Sequence, residues 1–183
     1  MFSTPRSVLI ASGLLGMAIA TLAVLGGEAV SAMDKYNVKV PDGLAFAEFR
    51  GFEDWATVAV SQSGNLIEVI LANPVMIEAY RAGVPGNGKA FPDGSKMAKI
   101  HWNAKQSTEA PAPTTVPHTL HDVDFMVRDS ARFKGTGNWG YAEFDYDAAT
   151  DAFKPLGTGS DCGYACHTIV KDKDYVFTSY GKR

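Results

Sequence analysis

Cys162, Cys166 and His167 are the residues of this 183-residue chain whose types and spacing are best suited to chemistry, and the two cysteines are the only ones it has. Thiols placed just before a histidine can form thioethers to the vinyl groups of a haem while the imidazole ligates its iron from the same side. The usual spacing has two residues between the cysteines. Here Gly163, Tyr164 and Ala165 make three, so a bulge or irregular turn has to absorb the extra residue, which Gly163 would allow. A plainer reading of the same residues is a disulfide closing a small loop, with His167 an ordinary polar side chain. A structural zinc site wants four protein ligands, and the remaining histidines, His101, His118 and His121, have no cysteine beside them.

The elements that must position this segment read as strands. Ala56 to Ser61 and Leu66 to Leu71 are apolar and β-branched, with turn chemistry at Ser63-Gly64-Asn65 between them, which predicts a hairpin. Asn73-Pro74 is a cap followed by proline at the first helical position. Val75, Met76, Ala79 and Tyr80 then recur at helical spacing until Gly83. Further strands are expected over Met97–Asn103, Leu120–Arg128 and Trp139–Tyr146, the last two joined by Asp129–Asn138. The proline-bearing stretch Gln106–Pro117 reads as a surface excursion, and Tyr36–Pro41 as an extended leader. The expected fold class is α+β, predominantly antiparallel β-sheet with one or two short helices, and with the cysteine segment near the C-terminus. Trp139 and Phe133 belong to the core, and Arg128, Asp129 and Arg132 are expected to hold a turn by ion pairing.

Two charged strand residues stand out. Alternation sets Met97, Lys99 and His101 on one face of their strand and Ala98, Ile100 and Trp102 on the other. A strand lysine is ordinarily a solvated edge charge, and Asp124 by itself reads as a solvated strand carboxylate.

The N-terminus carries one positive residue, Arg6, then an uncharged apolar run, with Val30-Ser31-Ala32 offering small residues for cleavage. Residues 1–32 are read as a signal peptide cleaved after Ala32, with a retained membrane anchor as the alternative. Residues 33–183 are read as a single domain, about 150 residues being enough for one core. Export would place it in the periplasm or outside the cell, where two cysteines normally pair. A net charge of −3 excludes a basic nucleic-acid footprint and points to a small partner.

Several segments together resemble the cytochrome P-460 family of exported c-type haem proteins. They are Phe91-Pro92-Asp93-Gly94-Ser95 with Lys99 after it, Val123-Asp124 followed by Arg128-Asp129-Ser130-Ala131-Arg132-Phe133, Gly137-Asn138-Trp139, and Cys166-His167 followed by Asp174-Tyr175-Val176-Phe177-Thr178. The resemblance implies an antiparallel β fold, a homodimer and one haem c, with His167 as the proximal iron ligand and the other side of the iron left for a small nitrogen-containing ligand. It gives Lys99 the place of a lysine whose side-chain nitrogen bonds to a haem edge carbon. Asp124 takes the place of a distal carboxylate that is glutamate in the characterised hydroxylamine oxidisers. Some members oxidise hydroxylamine and pass electrons to another redox protein, while related cytochromes c′ of the β type bind nitric oxide. The expected function is therefore hydroxylamine oxidation at a haem held by Cys162, Cys166 and His167, with Asp124 accepting protons. The alternatives are a nitric-oxide-binding protein without turnover and a haem-free, disulfide-bonded β domain.

Overall fold

The structure is a computed structural model that describes residues 34–40, 43–156 and 161–183; the expected signal segment and its expected cleavage site lie outside the described residues. Strands β1 (Ala56–Ser63), β2 (Leu66–Ala72), β3 (Lys96–Gln106), β4 (Thr115–Arg128), β5 (Trp139–Asp147) and β6 (Ala152–Leu156) form one sheet in which each strand pairs antiparallel with the next. Two short helices accompany it, α1 (Pro74–Arg81) and α2 (Asp161–His167). The fold is therefore of the α+β class and mostly antiparallel sheet. Among the described residues no helix is long and apolar enough to cross a membrane.

Helix α1 starts as its sequence dictates. The Asn73 side chain accepts from the Met76 amide at 3.1 Å, Pro74 occupies the first turn, and the chain turns away at Gly83 with φ +90°. Three elements depart from the sequence expectation. The proline-bearing excursion is the end of a long hairpin, because β3 and β4 stay paired from Ala104↔Pro117 to Gln106↔Thr115. Pro117 fits there because the register slips between Trp102 and Ala104, and a bulge tolerates a residue with no N–H. Strand β6 has no alternation to reveal it, and as an edge strand it accommodates Pro155.

The leader is not simply extended. It winds through short 3-10 turns at Lys35–Asn37, Phe46–Phe49 and Phe52–Asp54. These turns lay Val38, Val40, Leu44, Phe46, Phe49 and Phe52 against Ala98, Val123, Phe125 and Phe144 of the sheet, all buried. Phe46 meets Phe125, Phe144 and Phe153 with ring centroids 4.9–5.0 Å apart, in geometries worth about 0.5–1.5 kcal/mol each beyond burial. Most of this side of the sheet is apolar core, and the hollow at its margin beside Glu53, Trp102 and Tyr146 includes none of Lys99, Asp124, Cys166 and His167. On the other side, α1 and the C-terminal segment cover only part of the surface, with Met76, Ile77, Tyr80 and Val176 clustered with Met97, Met126 and Trp139 of the sheet.

Candidate functional site: an apolar cleft beside a charged row

Side chains one residue apart in a strand point to opposite faces, so the register decides which groups meet on the open face. Ile70, Lys99, Asp124 and Glu143 stand opposite one another across β2 to β5 and form one row. The next row, further from α1, is Ser61, Glu68, His101, Asp122 and Asp145, running from β1 to β5. On the other side, Ala72, Met97, Met126 and Tyr141 make an apolar row. The face thus changes from greasy to ionised along the strands, and Lys99 and Asp124 sit at the boundary.

Helix α2 and the segment after it approach this boundary from outside the sheet. The extra residue between the cysteines is absorbed by regular helix rather than by a bulge, since residues 161–167 are all helical. A separation of four sets positions 162 and 166 on the same side of the helix; the side chain of Cys162 lies outside the described residues. Gly163 serves close approach instead of turn formation. A Cβ there would lie 2.6 Å from Cβ and Cγ of Tyr141, atoms near the backbone that cannot swing aside. Gly163→Ala is therefore expected to lower stability. Overpacking costs roughly 1–3 kcal/mol, which exceeds the gain of at most about 1 kcal/mol from better helix propensity. A lower Tm than the parent's would show it.

His167 ends α2 with its ring between Tyr141 and Phe177, centroids 4.9 and 4.8 Å away. Its Nδ1 donates to the Tyr175 carbonyl at 2.6 Å. A carbonyl can only accept, so Nδ1 carries the proton and Nε2 keeps its lone pair. Burial above all, with the charge of Lys99 in support, holds the ring's pKa below the ordinary imidazole range, although the Tyr175 carbonyl opposes this. A neutral imidazole with one nitrogen anchored to a carbonyl is the arrangement metal-ligating histidines use.

The Tyr175 carbonyl is itself held in place. Asp174 and Tyr175 both have positive φ, 52° and 64°, an uncommon conformation for residues other than glycine. Asp174 is tied from two directions, accepting from Nη1 of Arg128 at 3.0 Å and from the Phe91 amide at 2.8 Å. The expected local turn pairing is thus corrected for Arg128, which reaches across the chain to Asp174. Arg132 likewise pairs with Glu48 at 2.6 Å. Within the turn, Asp129 accepts from the amides of Ala131 and Arg132 and pairs with the Arg132 guanidinium at 4.0 Å, so the expected ion pairing holds for Asp129 and Arg132.

Together these elements enclose a cleft of about 520 Å³ that is lined by Lys99, Asp124, Cys166 and His167, with apolar walls including Ile70, Met97, Met126, Tyr141 and Phe177. That volume is within the range of roughly 300–1,000 Å³ typical of small-molecule and cofactor sites. The donor set suits a haem: a lone pair on His167, a cysteine at the rim, and apolar walls for a macrocycle. Lys99 Nζ is 3.2 Å from Glu68 Oε2, which also accepts from Ser61 at 2.6 Å. Burial works against ionisation of Glu68, but Ser61 and Lys99 hold its carboxyl below the usual range. Asp124 behaves oppositely. Burial pushes it up to about 7, Asp122 and Glu143 add to the rise, and His101 and Lys99 oppose it. Glu68 and Asp122 were not marked by the sequence, because each needs partners from other strands, and Asp174 was marked only as part of a resembling segment, without its role. Only the face alternation of β2 to β4 could have grouped the first two.

The family model described as cytochrome P460 matches residues 49–178, more than two thirds of the chain. No curated protein matches it.

Proposed function

The chain belongs to the cytochrome P460 family of haem cytochromes, and we propose from that premise that it is an exported mono-haem c-type cytochrome that oxidises hydroxylamine or a related small nitrogen species. The observation that carries this reading is a single cleft lined by an imidazole with a bare Nε2 and by a carboxylate poised near neutrality. Cys162 and Cys166 would tether the haem, His167 would hold its iron, and Lys99 would bond to its edge. When bound, the haem supplies an iron that takes substrate nitrogen and passes electrons on.

The work of this chain's own residues is acid–base and positional. The Tyr175 carbonyl keeps His167 in the tautomer that leaves Nε2 for the metal. Asp124 takes the protons that hydroxylamine loses as it is oxidised. A carboxyl titrating near 7 both accepts and releases protons readily at neutral pH. The electrons leave to a separate redox protein.

Asp124→Ala in the haem-loaded protein tests this reading. Hydroxylamine turnover should fall by roughly 10²–10⁴-fold, the usual worth of general base catalysis, while nitric oxide affinity stays the same, because ligation needs no base. The base works only when ionised. The parent's rate should therefore decline as pH drops below about 7, and the variant should lack that limb. Equal losses in turnover and nitric oxide binding would make Asp124 structural, and nitric oxide binding without any parental turnover would select the binding-protein reading.

A further inference from the structure

The row next to Asp124 holds an arrangement that catalysis at Asp124 does not use. Asp122 is 4% exposed and bridges two imidazoles: its Oδ1 bonds Nδ1 of His101, and its Oδ2 bonds Nδ1 of His121. The two rings differ in surroundings. His101 is 6% exposed and faces the cleft groups, with Nδ1 3.9 Å from Asp124 Oδ2 and Nε2 3.6 Å from Glu68 Oε1. The His121 side chain is 47% exposed. With one gap of 3.9 Å between Asp124 and His101, proton-carrying groups thus lead from the cleft to solvent at the register shift that leaves His121 beside Asp122 in β4.

We propose that His101, Asp122 and His121 form the proton exit of the cleft, carrying to solvent the protons that Asp124 takes from substrate. The inference rests on the hydroxylamine-oxidising reading for the source of those protons. Nδ1 of His101, which faces both carboxylates, takes the carboxyl proton of Asp124 and hands it to Asp122; Asp122 delivers it to Nδ1 of His121, whose other ring nitrogen releases one to a buffer base. Each group returns to its starting state, and no electron moves along the line. Asp124 lines the cleft, so a cofactor filling it would cover Asp124 on that side and leave the groups of the sheet as its other way to solvent. The charged groups around His101 are Glu68 from β2, Lys99 from β3, Asp122 and Asp124 from β4, and Glu143 and Asp145 from β5, with the Ser61 hydroxyl of β1 behind Glu68. The carboxylates among them outnumber Lys99, so a transient imidazolium at His101 is stabilised where an isolated buried cation would be costly.

The test uses the haem-loaded protein, with His121→Gln at the solvent end and Asp122→Asn in the middle. His121 is half in water, so its replacement leaves the fold intact even if Asp122→Asn does not. Film voltammetry of the haem couple should give the same pH dependence of the potential in parent and His121→Gln at slow scan, where protons equilibrate. At fast scan the variant should lose that dependence at scan rates lower by an order of magnitude or more. Hydroxylamine turnover in weak buffer should fall similarly and recover with added imidazole, a diffusible substitute for the missing ring. A merely structural role would change the slow-scan values and would not respond to imidazole. Identical fast-scan behaviour in the parent and both variants would overturn the exit. So would a divalent metal retained at one equivalent beyond haem iron and lost in Asp122→Asn, because His101, Asp122 and Asp124 bring donor atoms within 4.8 Å of one another. Absence of parental turnover would instead count against the proposed function, with the voltammetry still reading the exit.

Discussion

His167→Gly in the haem-loaded protein is expected to abolish hydroxylamine turnover while leaving haem covalently attached. The two properties separate because they rest on different atoms: attachment on the sulfurs of Cys162 and Cys166, ligation on Nε2 of His167. The remaining ring contacts, to Tyr141, Phe177 and the Tyr175 carbonyl, would leave an imidazole-shaped hole with its hydrogen-bond acceptor still in place. Added imidazole should fill that hole and restore the parental absorption spectrum. Acid-acetone extraction and intact mass check the attachment. A parent protein with no haem and a mass two hydrogens below the reduced chain would establish the disulfide reading, and His167→Gly would then be nearly neutral.

Lys99→Leu is expected to have an effect of similar size on turnover and none on nitric oxide binding. Lys99 reaches into the cleft from the boundary row and pairs with Glu68 at 3.2 Å. A bond from its nitrogen to a haem edge carbon replaces one N–H and that carbon's C–H, so it takes a two-electron oxidant such as a peroxide supplied from outside. The amine must first lose its proton, with the Glu68 carboxylate within reach. A third covalent tether would deform the macrocycle and alter the iron's electron density, a lever the protein holds over cofactor chemistry. Peptide mapping reads the bond directly. The 97–103 segment should migrate with the haem peptide containing Cys162 and Cys166 in the parent, and separate from it in Lys99→Leu, whose spectrum should be that of an ordinary c-type haem. A free 97–103 peptide in the parent digest would refute the cross-link.

How much of this could be read from the chain depends on the range of the interactions involved. The central strands, the Asn73-Pro74 helix start and the face shared by Met97, Lys99 and His101 follow from alternation, capping and proline geometry, all of which act within a few residues. Lys99 alone reads as a solvated edge charge and was marked only by the family resemblance, whereas Cys166-His167 carries its chemistry in its own side chains and could be singled out without a partner. The strap around Phe46 could not, because short 3-10 turns have too few residues to show a period and are held by the sheet they cover. Strand β6 could not either, since pairing with β5 and not its own pattern makes it a strand.

The sequence by itself determined which residues could hold a haem and that they would sit on a mostly antiparallel scaffold, because residue type and local period are written in the chain. The tertiary structure alone decided their surroundings. It made the cysteine spacing a helical one, chose the His167 tautomer through the Tyr175 carbonyl, and tied that carbonyl's neighbour Asp174 to Arg128 forty-six positions away. It also set Asp124 among buried carboxylates and joined Asp122 to two histidines. Register, desolvation and charge proximity arise only when strands distant in sequence lie side by side, and these are the quantities that fix a carboxyl's proton affinity and a proton's way out.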